Sequence, residues 1–76
     1  MPQIRLGILG AGIMGRHVAR TASALNRYEV TAVADIDRRQ SSMVAQETGA
    51  QAFGDAGELL AAGVADAVYK IGRAHV

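Results

Sequence analysis

Seventy-six residues, half of them apolar but only three aromatic, provide one small core of Ala, Val, Ile and Leu, and no cysteine is present for a disulfide or a thiolate metal site. The formal charge is +1, yet Lys70 and Arg73 fall in the last seven positions, and residues 1–69 hold six arginines against seven acids, a net −1. That balance excludes a basic nucleic-acid surface, and no apolar run approaches the roughly 18 residues of a membrane span.

The start of the chain has a basic residue and an apolar run, as a secretory signal does, but Arg5 and the glycines interrupt it. A soluble, cytoplasmic protein with no nucleic-acid or membrane partner is expected. Ile4-Arg5-Leu6-Gly7-Ile8-Leu9 is a short apolar segment stopping at glycine, the pattern of a buried parallel strand. A helix is predicted over about residues 12–25, burying Met14, Val18, Ala22 and Leu25 at spacings of four, four and three. Residues 28–34 form a second strand ending at Asp35. Asp37 caps a second helix over roughly residues 38–48, which Gly49 stops. Residues 50–53 give a brief third strand. Asp55, with Glu58 three positions later, opens a short helix through Leu59 and Leu60, and residues 64–69 open a fourth strand. Alternating strands and helices predict an α/β fold with a parallel sheet and right-handed crossovers.

The first strand runs directly into Gly10-Ala11-Gly12-Ile13-Met14-Gly15, and Asp35 follows twenty positions after Gly15, at the end of the second strand. A glycine hexapeptide alone is weak evidence, but strand, turn, helix and acid together form the phosphate-binding turn of a Rossmann-like fold. Gly10 permits the tight turn, Gly12 lets a pyrophosphate approach the backbone, and Gly15 lets the helix lie close to the sheet. The free amides of the first helical turn, those of Ile13 and Met14 included, would face the phosphates. Asp35 would accept hydrogen bonds from the adenosine ribose hydroxyls and repel a 2′-phosphate, which favours NAD over NADP. Arg38 and Arg39 sit where cations oppose a helix dipole, and either serve a 2′-phosphate, leaving NADP open, or are ordinary solvated side chains.

His17 is a lone helical histidine without neighbouring ligands, and it receives no role; no metal site is expected. Tyr28, Phe53 and Tyr69 are too scattered for a base-stacking platform. No nucleophile, base and orienting group can be assembled, so no catalytic residue is assigned.

From Ile4 to Tyr69 the chain resembles the N-terminal domain of the Gfo/Idh/MocA oxidoreductases, the family of glucose-fructose oxidoreductase and inositol 2-dehydrogenase. The resemblance is carried by residues 4–17, then by Val33-Ala34-Asp35-Ile36-Asp37, Glu47-Thr48-Gly49-Ala50, Glu58-Leu59-Leu60 and Asp66-Ala67-Val68. It implies that Ile13, Met14, Asp35 and Ile36 join Gly10, Gly12 and Gly15 around the cofactor, with Ile36 beside the adenine. It further implies hydride transfer between the nicotinamide and a sugar or polyol hydroxyl, in a homo-oligomeric full-length parent. The family's later small-residue and proline loop and its Glu-Lys-Pro motif have no counterpart here. Two alternatives stand beside this: an NAD-sensing regulatory domain, and another Rossmann dehydrogenase such as dihydrodipicolinate reductase or an amino-acid dehydrogenase.

Residues 71–76 can be written as the codons ATC GGA AGA GCA CAC GTC, which with a following TGA resemble a translated sequencing-library adapter. The chain's sole lysine, Lys70, falls at that junction. The expected organisation is therefore residues 1–69 as the first half of a dinucleotide-binding domain, an incomplete βαβαβαβ unit without catalytic competence, and residues 70–76 as a non-native tail.

Overall fold

A computed structural model describes residues 3–70. The elements alternate as expected: β1 (Ile4–Leu9), α1 (Ile13–Ala24), β2 (Tyr28–Ala34), α2 (Arg38–Thr48), β3 (Gln51–Phe53), α3 (Ala56–Ala62) and β4 (Ala67–Lys70). All pairings are parallel, in the order β3-β2-β1-β4. The first strand thus lies in the interior of the sheet, with its residues Leu6, Gly7 and Ile8 buried. The adapter-like segment at residues 71–76 lies outside the described residues. Lys70, read from sequence as the start of that tail, is the last residue of β4 and pairs with Leu9.

Alternation along the strands builds two cores on opposite faces of the sheet. Leu6, Ile8, Val30 and Val33 meet Ala19 and Ala22 of α1 and Val44 of α2 on one face. Ala32 and Ala34 meet Leu59 of α3 on the other, with Leu9 and Phe53 at the margin. The even alternation breaks once in β2. Leu6 pairs with Val30 but Gly7 with Ala32, so Thr31 is an extra, bulged residue. Its hydroxyl donates to the carbonyl of Val64 at 2.7 Å, tying the bulge to the segment that leads into β4.

The buried face of α1 differs from the expected one. Gly15, Ala19 and Ala22 point inward with Val18 beside them, whereas Met14 is 61% exposed and Leu25 caps the helix at 49% exposure. Small residues win this face because a helix that approaches the sheet closely has no room for longer side chains. The same closeness governs α3: a Cβ added at Gly7 would stand 3.0 Å from Leu59 Cδ2 and 3.3 Å from Ala65 Cβ.

Helices α2 and α3 begin as the sequence implies. The Asp37 carboxylate accepts from the backbone N–H groups of Arg39 and Gln40, and Asp55 accepts from Glu58 N–H at 2.8 Å. Helix α2 ends on Gly49 in the left-handed conformation. Ion pairs staple the periphery at two places. Arg16 and Arg20 of α1 hold Glu47 of α2, and Arg5 of β1 holds Asp66 just before β4. Among the described residues, no helix is long and apolar enough to cross a membrane.

Candidate functional site

The turn between β1 and α1 sets the geometry at the C-terminal edge of the sheet. Gly10 has a φ of 107°, a conformation that a side chain would strain, and its N–H donates to the Ala34 carbonyl of β2 at 2.8 Å. The next amide, Ala11 N–H, donates to Asp35 Oδ2 at 2.7 Å, while Asp35 Oδ1 accepts from Asp37 N–H at 2.8 Å. Gly12 is the N-cap of α1, and its carbonyl accepts the helical bond from Arg16 N–H at 2.9 Å. No side chain caps α1 and no acid lies in its first turn, in contrast to the aspartate caps of α2 and α3. Its leading amides therefore face outward with the positive end of the helix dipole behind them.

Gly12 separates a structural from a ligand-driven reason for glycine. Its φ is −72°, and an added Cβ would meet only Gln40 Oε1, at an ordinary 3.6 Å. The fold tolerates a side chain here, so neither packing nor backbone conformation requires glycine at this position.

A cleft of about 410 Å³ opens beside the turn at the carboxyl ends of the strands. Gly10, Asp35 and Ile36 line it, together with Asp55, Ala56 and Lys70. On the other side of the turn, Gly12 and Ile13 line a hollow of about 350 Å³ with Arg39 and Gln40. The structure thus spreads the sequence-selected residues over one edge but not one wall. Ile13 and Ile36 are 89% and 90% exposed, Met14 stands free on the first turn of α1, and Gly15 lies buried against the sheet.

Asp55, Ala56 and Lys70 were absent from the sequence-selected set. The signal for the first two is their position directly after the third strand, at the same end of a parallel sheet as the glycine turn. Sequence reasoning also missed the bond from Ala11 to Asp35, because a contact spanning 24 positions leaves no local pattern.

Charge near the turn is held in place by pairing. The hydrogen-bonding Arg16 guanidinium holds the Glu47 carboxyl below its usual range, Arg20 adding to the effect, and Glu47 in turn raises Arg16. Arg38 Nη2 lies 4.0 Å from Glu58 Oε2 and remains 78% exposed, while Arg39 is among the residues lining the hollow beside Gly12. Among the described residues, no group of three His, Cys, Asp or Glu could hold a metal ion.

Comparison with known proteins gives this edge a context. Residues 4–74 match the model of the Gfo/Idh/MocA oxidoreductase family, NAD-binding Rossmann fold. Inositol 2-dehydrogenase of Cereibacter sphaeroides is 39% identical over 75 residues, covering 95% of this chain and 22% of that protein. Myo-inositol dehydrogenase of Lactobacillus casei, solved with NAD(H) and myo-inositol, superposes with a TM-score of 0.80 at 31% identity, covering 93% of this chain and 22% of that one. GenD2 from gentamicin A biosynthesis, solved with NAD, superposes with a TM-score of 0.89 at 26% identity, covering 97% and 21%. The chain spans about a fifth of the length of these relatives. An interior first strand that turns through Gly10 into an uncapped helix, in a sequence matching the family model from Ile4 onward, makes this chain a member of the Gfo/Idh/MocA oxidoreductases within their NAD-binding Rossmann fold.

Proposed function

We propose that Gly10, Gly12, Ile13, Met14, Gly15, Asp35 and Ile36 form the adenosine and pyrophosphate side of an NAD site, with residues 1–69 the first half of the dinucleotide-binding domain. The carrying observation is Gly12, whose missing side chain serves no packing or backbone need. The unshielded amides of Ile13 and Met14 would hold the pyrophosphate, Asp35 the ribose diol, and exposed Ile36 the adenine face. Gly10 and Gly15 contribute indirectly, one by shaping the turn and the other by seating α1.

The parent activity is oxidation of a sugar or polyol CH–OH, or reduction of the corresponding ketone. Inositol dehydrogenases among the relatives support this reading. Bound NAD supplies the hydride acceptor; the residues described here bind and orient its adenosine end. The 76-residue chain alone is inactive in this reading, because it spans about a fifth of the length of its relatives. NAD is favoured over NADP because the Asp35 carboxylate, which lines the cleft, would repel a 2′-phosphate on the ribose.

Calorimetric titration with NAD, NADP and ADP tests the reading. Binding of NAD and ADP that is lost in Gly12→Ala, with the unfolding midpoint unchanged, is the expected result. Equal binding to wild type and variant overturns it.

A further inference from the structure

We infer that Asp35 is a positioning residue for the glycine turn, acting on the phosphates through the backbone in addition to any direct contact with ribose. The inference rests on the NAD-site reading above and gives the same side chain a second task. Three bonds fix the path from β1 into α1: Gly10 N–H to the Ala34 carbonyl, Ala11 N–H to Asp35 Oδ2, and Arg16 N–H to the Gly12 carbonyl. Two of these are backbone to backbone, and only the Ala11 bond depends on a side chain.

Ala11 is 4% exposed, so its amide finds little water if the carboxylate turns away. At 2.7 Å the bond has the length of a charge-assisted one. The second oxygen is tied to Asp37 N–H, which fixes the carboxylate's orientation and links the turn to the cap of α2. An ionised carboxylate has roughly four acceptor sites, so two backbone bonds leave capacity for a ribose diol. Asparagine has one acceptor oxygen and would turn its NH2 donor toward one of the two amides. Glutamate keeps the charge and the reach toward a diol, but its extra methylene displaces both oxygens from Ala11 and Asp37.

The probe that separates this role from ribose recognition is 2′,3′-dideoxyadenosine 5′-diphosphate, which keeps the phosphates and lacks the diol. Its affinity and that of ADP are measured on the wild-type chain, Asp35→Asn and Asp35→Glu, alongside amide hydrogen exchange at Ala11, Asp37 and Val33. Both variants are expected to bind the dideoxy probe roughly tenfold more weakly, the scale of one hydrogen bond to a charged group. Exchange at Ala11 should accelerate while buried Val33 stays protected. Unchanged dideoxy-probe affinity in both variants overturns the inference and leaves Asp35 a ribose ligand only. Uniform loss of protection through β2 overturns it in favour of a general structural role. A wild-type chain that binds neither ADP nor the probe refutes the NAD-site reading itself, a separate outcome.

Discussion

Asp66 grips Arg5 three times: Oδ2 accepts from the Arg5 backbone N–H at 3.0 Å and from Nε at 3.1 Å, and Oδ1 accepts from Nη2 at 2.8 Å. The Asp66 N–H returns a bond to the Arg5 carbonyl at 2.7 Å, so the start of β4 is latched to the start of β1. The guanidinium hydrogen bond, followed by the Arg5 backbone N–H, holds the Asp66 carboxyl down at about 2 from the usual 3.8. A depressed folded-state value stabilises above the unfolded value and is lost as pH falls through the folded one. The stability advantage of wild type over Asp66→Asn should therefore be full above pH 3.8 and shrink as pH falls toward 2. Urea midpoints of both chains across that range check it. Both side chains are about half exposed, so high salt should shrink the difference as well.

Gly7 and Leu59 share a space that admits only one side chain. Gly7→Ala should destabilise the fold by about 1–3 kcal/mol through overpacking against Leu59. In Leu59→Ala, which by itself costs about 2–5 kcal/mol, adding Gly7→Ala should cost less than it does in wild type. A double-mutant cycle in urea measures the coupling, and strict additivity would refute the contact.

Gly10→Ala and Gly12→Ala should fail in opposite ways. At φ 107° the first substitution strains the backbone and should lower stability by about 1–2 kcal/mol. The second should leave stability within about 0.5 kcal/mol while weakening NAD binding at least tenfold, about 1.4 kcal/mol. Thermal unfolding and calorimetry on the same samples separate the two.

Thr31→Val should cost about 1 kcal/mol by removing the donor to the Val64 carbonyl, a partly buried bond. Its effect should appear as faster amide exchange around residues 64–66, while exchange in α2 stays unchanged.

The order of elements was legible because each carries a local signature. Asp37, Gly49 and Asp55 mark helix ends through their own chemistry, and the alanine, valine and isoleucine runs mark strands. The glycine turn was legible for the same reason: its glycine spacing is written in six consecutive residues directly after the first strand. What escaped sequence reading is what depends on distant parts meeting. The inward face of α1 was assigned to Met14, Val18, Ala22 and Leu25, and only Val18 and Ala22 pack on the core, since hydrophobic periodicity ranks residues by apolarity and does not know how near the sheet will come. The bulge at Thr31 breaks strand alternation for a partner 33 positions away. Asp35 was read for its charge and spacing, while its bond to Ala11 follows only from the adjacency of β1 and β2. The start of β4 was placed at residue 64 on apolarity, but pairing with β1 begins at Ala67, after the Arg5 latch has set the register.

The interior position of β1 also orders the events of synthesis. Its partner β2 begins 24 positions after it, but β4, which pairs its other edge, begins 63 positions after it. Of the two interior strands, the one that delivers the glycine turn is therefore made first and has its second edge paired last. As the chain leaves the ribosome, Leu6 to Leu9 must wait with one row of amides and carbonyls open until Ala67 emerges. Until β4 joins it, that edge of β1 is an open template for pairing with another chain, so the strand that carries the glycine turn is also the interior strand whose edge stays exposed longer.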